Sequence, residues 1–406
     1  MEFQTCTLGN GIKIIHAQVS APVAHCGFFI HTGSRDESAE EIGMAHFAEH
    51  IFFKSTHKRN TFQILSRLED VGGDLNAYTT KEETCLQASF MLEHYERALE
   101  LISDLVFNRF FQDKDVEKEK EVVIDEINSY RDTPSENIFD DFDELMFGSH
   151  PIAHPILGRA VHVRKFTAKC IEQFVASHYF TDRMVIASAG AVPFARLVKW
   201  CEKHFGIIPP HLCHTMRQVP EPHGALLLET KKRIHQGHCC LGAFGYSFYD
   251  PRRTCLSLLC NLLGGPGMNT RLNMALREHK GLSYSAEASF TPFTDTGIAS
   301  IYFSADKENT DLCLDIVHKE LQKLRTTRLG TMQLLRAQRQ MLGQLAISCD
   351  SHENLMLSIG KSFLVYDKVD TLAETALRIN RITAGDLLGT ANEILTPDRI
   401  STLIYR

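Results

Sequence analysis

The order of segments that opens the chain is repeated after its midpoint. His25-Cys-Gly-Phe-Phe-Ile30 is a strand-like run followed by a turn and a long apolar stretch with helical spacing. His238-Cys-Cys-Leu-Gly-Ala-Phe244 is followed in the same way by Arg253 to Leu263. Thr181-Asp182-Arg183 leads into the strand-like Met184 to Val192, and Pro397-Asp398-Arg399 leads into Ile400 to Tyr405. Self-similarity over about 200 residues reads as duplication of a domain-sized unit. Between the copies, Pro209, Pro210, Pro220 and Pro222 break any apolar periodicity, which marks an extended connection. The expectation is two structurally similar domains, 1–208 and 223–406, joined by a linker over 209–222.

Within each half, strand-like runs alternate with amphipathic helices. Gly11-Ile-Lys-Ile-Ile15 and Val23 to His31 open the first half, and Thr84 to Met91 reads as a strand inside a sheet. Helices are expected near Glu93 to Phe107 and Asp113 to Tyr130. Tight turns such as Gly72-Gly73-Asp74 favour a largely antiparallel or mixed sheet with helices packed on one face. The fold class predicted for each half is α+β. A chain of 406 residues is long enough to give each half its own core.

Composition removes several classes of function. The net charge of −7, without any dense run of Lys and Arg, does not fit a nucleic-acid binder. No stretch of roughly 18 apolar residues is present, so no membrane span is expected. The first fifteen residues enter a strand pattern at once, without the basic and apolar regions of a signal peptide. The 12 cysteines are scattered through apolar segments, as at Cys239, Cys240, Cys255 and Cys260, with no CxxC pair. They read as small buried hydrophobes in a reducing compartment, and a cytoplasmic location is expected.

One helix stands out chemically. Gly43 to Phe53 is apolar around most of its circumference, with Met44, Phe47, Ala48, Ile51, Phe52 and Phe53, and such a helix should be buried. Its strongly polar side chains are His46, Glu49 and His50, which share one face at i, i+3 and i+4. Burying two imidazoles and a carboxylate without partners costs several kcal/mol. A divalent cation removes that cost, because two histidines at this spacing reach one zinc at about 2.0–2.1 Å. Glu49 then lies where it can accept a proton from a zinc-activated water. The competing reading is a core helix with hydrogen-bonded histidines, since the string alone carries false-positive risk.

A second helix supplies a third donor. Val116, Val122, Val123, Ile127 and Tyr130 give the stretch from Val116 to Tyr130 a packed face, and Asp113 and Asp115 suit its N-terminus. Glu119 and Glu126 fall two turns apart on one face, and Glu126 sits amid Val122, Val123, Ile124 and Ile127. Two histidines plus one carboxylate leave a coordination position open, the catalytic rather than the structural arrangement. The competing reading for Glu126 is a solvated charged face shared with Glu117, Glu119 and Glu121.

These residues together carry a resemblance. His46-Phe-Ala-Glu49-His50 followed by Glu126 within Glu117-Lys-Glu-Lys-Glu-Val-Val-Ile-Asp-Glu-Ile127 resembles the inverzincin peptidases of the insulinase or pitrilysin family. The two-domain subunits of that family include the mitochondrial processing peptidase β subunit. Thr7-Leu-Gly-Asn-Gly-Ile12 is similar to the family's opening strand, and Gly73-Asp-Leu-Asn-Ala-Tyr-Thr79 to its active-site edge strand. Arg277-Glu-His-Lys-Gly-Leu-Ser-Tyr284 is similar to its second-domain signature. The resemblance implies His46, His50 and Glu126 as zinc ligands, Glu49 as general base and Glu119 as a supporting carboxylate. It implies Asn76 and Ala77 on a strand that pairs with the substrate backbone, which gives affinity largely blind to side chains. Arg277 and Tyr284 are implied as contacts to the scissile peptide and its oxyanion. Read alone, that pair is a helix-ending Arg before a Gly turn and a strand Tyr.

The second half departs from the first where the metal helix should recur. Cys255-Leu-Ser-Leu-Leu-Cys-Asn-Leu-Leu263 has neither His nor Glu, so the second domain is expected to be a non-catalytic copy that closes over substrate. Gly264-Gly-Pro-Gly267 lacks a following Gly-Lys-Ser/Thr and reads as a turn rather than a phosphate loop. The resemblance implies hydrolysis of unfolded or short peptides in an enclosed chamber, by a dimer, expected to be of identical chains. A non-catalytic scaffold subunit is the alternative within the family. A structural zinc site is the alternative outside it, and it lacks a fourth protein ligand.

Overall fold

The computed structural model describes residues 2–406. The chain forms two compact units. The first comprises Met1–Asn128, His154–Arg217 and Ile347–Thr371, and the second Ser129–Ala153, Gln218–Ala346 and Leu372–Arg406.

The first unit is built on a six-stranded mixed sheet. Its strands are β1 (Phe3–Thr7), β2 (Lys13–Gln18), β3 (Val23–Ile30), β4 (Asp74–Thr79), β5 (Thr84–Met91) and β6 (Met184–Gly190), in the order β1-β2-β6-β3-β5-β4. Only the β2–β6 pair is parallel. Alternation along the strands sends side chains to opposite faces. On β3, Ala24, Cys26, Phe28 and Ile30 enter one core, while Phe29 enters another on the far face. On β6, Met184 and Ile186 go one way, and Val185, Ala187 and Ala189 the other. The larger core is completed by helices that include Met44–Phe52, Thr61–Glu69, Tyr95–Phe107 and Ala168–His178.

The α+β class predicted from sequence is what the chain forms, and most helices of this unit lie on one face of the sheet. One does not. The helix His352–Tyr366 covers the far face with Leu355, Met356, Ile359, Phe363 and Leu364. Continuous apolar runs such as Phe28-Phe29-Ile30 call for this, because a strand apolar on both sides must be covered on both sides. The helix lies so close that a Cβ at Gly360 would stand 2.2 Å from the Phe29 ring, and one at Gly27 2.6 Å from the Met356 sulfur. Glycine is required at both positions by this approach rather than by backbone conformation.

The second unit repeats the plan. Its strands are β7 (Leu227–Thr230), β8 (Gln236–Phe244), β9 (Ser283–Pro292), β10 (Gly297–Asp306) and β11 (Ser401–Tyr405), in the order β7-β11-β8-β10-β9. Again one pair, β7–β11, is parallel, and it matches β2–β6 of the first sheet. The repeated sequence segments therefore occupy equivalent strands: β3 corresponds to β8, and β6 to β11. Helices Arg253–Gly264, Thr310–Thr326 and Ala384–Ile394 pack on one face. The other face carries Pro134–Phe147, whose Ile138, Phe142 and Met146 meet Cys240, Tyr302, Leu403 and Tyr405.

The units therefore differ from the two sequence halves expected on either side of 209–222. Pro134–Phe147 comes from the first half and completes the second unit, and His352–Tyr366 does the reverse. Residues 209–226 form neither helix nor strand. His211 and Arg217 tie the start of this stretch to the first unit, through bonds to Thr181 and to Asp36. Among the described residues no helix is long and apolar enough to cross a membrane.

Candidate metal centre

The helix Met44–Phe52 is placed by its own first turn. Gly43 precedes it with φ of 97°, in the left-handed region, and its Cα faces Gly158 so closely that a Cβ would stand 2.7 Å away. The carboxylate of Glu37 then accepts from the backbone N–H of Gly43 and of Ala45, each at 2.8 Å. These are amides that a helix N-terminus leaves unbonded. Glu37 is buried, and burial pushes its carboxyl well above the usual range, against the two backbone bonds that lower it. Met44, Ala45, Phe47, Ala48, Ile51 and Phe52 join the main core, so the three polar residues take the remaining face, as their spacing requires.

The helix Asp113–Arg131 brings Glu119 and Glu126 against that face. Glu119 accepts from His50 Nδ1 at 2.8 Å through one oxygen and pairs with Lys54 Nζ at 2.6 Å through the other. With its Nδ1 proton committed to Glu119, neutral His50 presents a bare Nε2. That atom lies 3.2 Å from His46 Nε2 and 3.4 Å from a Glu126 oxygen. The same Glu126 oxygen is 3.8 Å from His46 Nε2. His46, His50 and Glu126 each offer one ligand atom within 4.8 Å of the others.

Two donors each about 2.0–2.1 Å from one tetrahedral zinc lie roughly 3.3 Å apart. The separations of 3.2 and 3.4 Å fit that spacing, and 3.8 Å is somewhat wide. The electrostatics point the same way. Glu49, Glu119 and Glu126 surround two imidazoles, with Lys54 as the cation bonded to the group. Burial holds the His46 imidazole down to about 3, with His50 adding to the effect, so at neutral pH it is a neutral ligand. Burial also opposes the charged form of His50, but the Glu119 hydrogen bond and the nearby carboxylates outweigh it and raise its pKa. Glu119 is shifted down: its bonds to His50 and Lys54 overcome the cost of burial. His46 Nδ1 is buried and has no hydrogen-bond partner among the described residues.

Glu49 is not one of the three convergent donors. Its Oε2 accepts from the Thr79 hydroxyl at 2.5 Å, and burial raises its pKa despite that bond. Thr79 ends β4, the last strand of the first sheet, which also carries Asn76 and Ala77. These two pair with Gln87 and Leu86 of β5, and the outer side of β4 has no strand against it among the described residues. Asn76 bonds Asp74 at 2.6 Å. Arg277 and Tyr284 belong to the second unit. Arg277 lies in the short π-helical turn Asn273–Glu278, its Nε 3.7 Å from Glu278. Tyr284, 80% exposed, opens the edge strand β9.

Three residues of this centre, Lys54, Glu37 and Thr79, carry no motif signal of their own in the sequence. Lys54 lies one turn beyond His50 with no periodic signal of its own. Glu37 sits in an acidic stretch that reads as a solvated loop. Thr79 was visible only as the end of a strand.

A duplicated mixed-sheet scaffold bearing an imidazole, imidazole and carboxylate cluster beside a half-buried glutamate makes the protein metallopeptidase-like. The chain belongs to the insulinase family, peptidase family M16. Residues 13–160 match the family described as Insulinase (Peptidase family M16), and residues 165–341 match the Peptidase M16 inactive domain. A Bacillus subtilis (strain 168) protein described as uncharacterized zinc protease YmxG is 32% identical over 399 residues, spanning 98% of this chain and 97% of its own. A Mycobacterium tuberculosis (strain H37Rv) protein, described as uncharacterized zinc protease Rv2782c, is 31% identical over 96% of this chain and 90% of its own. In fold, the chain is similar to a protease from Helicobacter pylori, with a TM-score of 0.93, 19% identity, and coverage of 100% of this chain and 99% of that one.

Proposed function

We propose that the chain is a zinc-dependent endopeptidase acting on unfolded or short peptides. The observation that carries this reading is the convergence of His46 Nε2, His50 Nε2 and a Glu126 oxygen beside the half-buried Glu49. The names of the relatives support zinc as the metal, as does the mixed imidazole and carboxylate donor set. A zinc ion held there supplies Lewis acidity toward the scissile carbonyl and lowers the pKa of a water.

The chain's own residues supply the rest. Glu119 fixes the orientation and tautomer of His50, and Lys54 fixes Glu119. Glu49 takes the proton of the attacking water on Oε1, because Thr79 already holds Oε2, and passes it to the leaving amine. Its raised pKa brings it nearer the working pH, where a general base is most effective. The outer side of β4 accepts the peptide backbone beside Asn76 and Ala77 by strand addition. Arg277 and Tyr284 keep the substrate-contacting roles that the resemblance gives them. The same resemblance supports a dimer of identical chains. A reducing, cytoplasmic setting is supported by twelve cysteines that all stand as free thiols.

The test is Glu49→Gln assayed on a quenched peptide with metal analysis alongside. Cleavage should fall by about 10²–10⁴-fold while zinc stays near one per chain. Full activity in that variant would show that Glu49 is not the base. A wild-type chain that binds zinc and peptide yet cleaves nothing would favour the scaffold reading instead.

A further inference from the structure

The turn that follows β4 is far better anchored than a hairpin turn requires. Its sequence, Thr80-Lys81-Glu82-Glu83, is that of a solvated loop, yet Lys81, Glu82 and Glu83 are all buried. Charged residues are seldom buried without dedicated partners, and each here has one. Lys81 Nζ donates to the His154 carbonyl at 2.8 Å. Glu82 pairs with Arg35 at 2.5 Å and with Arg217 at 3.2 Å. Glu83 meets Lys361 at 3.3 Å and accepts from the Tyr78 hydroxyl at 3.3 Å. The backbone is held as well: Ser34 N–H donates to the Thr80 carbonyl and Arg35 N–H to that of Lys81, at 3.1 and 2.9 Å. Gly33 lies so close that a Cβ would stand 2.3 Å from the Thr80 oxygen.

Thr79 is the residue this anchoring fixes in place. Along β4, Leu75 and Ala77 pack into the core that contains Met44–Phe52, while Tyr78 packs on the opposite face. Period-two alternation therefore puts Thr79 on the side of Glu49, where its hydroxyl donates to Oε2 at 2.5 Å. Resting on the peptidase reading, we infer that Thr79 is a positioning residue for the general base. Its hydroxyl fixes the Glu49 carboxylate so that one chosen oxygen faces the water. Because Thr79 ends the strand that the substrate pairs with, the base is aligned by the same element that aligns the peptide. The buried turn is the support that keeps this alignment from drifting, and a misplacement of about 1 Å costs on the order of 100-fold in rate.

The experiment compares Thr79→Val with Thr79→Ser in the full-length zinc-loaded chain. Valine keeps shape and removes the donor, and serine keeps the donor. Thr79→Val should lower kcat by about 10–100-fold, with KM within about two-fold. Its zinc content, its Tm and its Kd for a non-hydrolysable peptide should match wild type. Thr79→Ser should recover most of kcat. Unchanged kcat in Thr79→Val, or equal losses in both variants, would overturn the inference, and so would a loss confined to KM or to peptide Kd. None of these outcomes touches the peptidase reading, which fails separately if Glu49→Gln retains full activity.

Discussion

Two apolar helices, Met44–Phe52 in the first unit and Arg253–Gly264 in the second, each pack against a sheet of the same topology. The first turns a face carrying His46, Glu49 and His50 away from the core. The second places Cys255, Leu256, Leu258, Leu259, Cys260 and Leu263 in its core and offers no imidazole or carboxylate. Burial keeps the thiol of Cys260 protonated, pushed up to about 12, and raises that of Cys255 in spite of its bond from Thr390. Neither is a ready ligand, since the thiolate is the form that binds metal. One scaffold is therefore compatible with a metal centre or with a plain core, and the choice rests on a few side chains. The supporting shell shows how deep that choice goes. Glu37, Glu119, Lys54 and Thr79 serve the polar helix of the first unit, at positions that a purely structural copy has no reason to fill.

The sharpest way to break the contrast is to make the first helix resemble the second. His50→Ala should take zinc from about one per chain to near zero by metal analysis, with peptide cleavage lost. Cys255→Ser, in the other helix, should leave zinc at the wild-type level. Zinc retained in His50→Ala would mean that the cluster is not the site.

A smaller effect concerns the metal-free chain. In the unfolded state His46 takes up a proton near pH 6.5, whereas in the folded state it resists protonation until about 3. Its contribution to stability is therefore complete above pH 6.5 and is lost as pH falls below that value. Between pH 7.5 and pH 5 the loss is about 2 kcal/mol from this group. His50, with its raised pKa, works in the opposite direction. Urea midpoints of the metal-free wild type and His46→Ala at the two pH values measure the difference. Equal pH dependence in both would contradict the assigned environment of His46.

Smallest is the effect of removing support without removing a ligand. Lys54→Met leaves Glu119 with one fewer partner, and zinc affinity measured by chelator competition should fall about ten-fold. An unchanged affinity would leave Lys54 as a surface ion pair of little worth.

The polar face of Met44–Phe52 and the pairing of Glu119 with Glu126 were legible because helical spacing is local and alternation is strict. The duplication was legible in β3 and β8 and in β6 and β11, where short apolar runs recur in order. What escaped was non-local. Nothing in His352-Glu-Asn-Leu-Met-Leu-Ser-Ile-Gly360 says which sheet the helix covers, since an apolar face names no partner. Lys81-Glu82-Glu83 looks like solvated turn chemistry, and only the partners supplied by Arg35, His154, Arg217 and Lys361 make burial affordable. Arg277, read as closing an ordinary helix, lies instead in a π-helical turn just before Gly281, whose φ is +62°. Wide turns of this kind leave no periodic signature.

The exchange of helices has a consequence for the order in which the molecule can be completed during synthesis. The far face of the first sheet stays bare until Leu355 to Leu364 have left the ribosome, after every strand of both sheets except β11 has been made. The second sheet, in contrast, has its covering helix Pro134–Phe147 made before any of its own strands. Synthesis in sequence order therefore does not complete the unit with the His46, His50 and Glu126 cluster first. That unit must wait, with Phe29, Val185 and Ala187 exposed, for a helix encoded well downstream of the last strand of its own sheet.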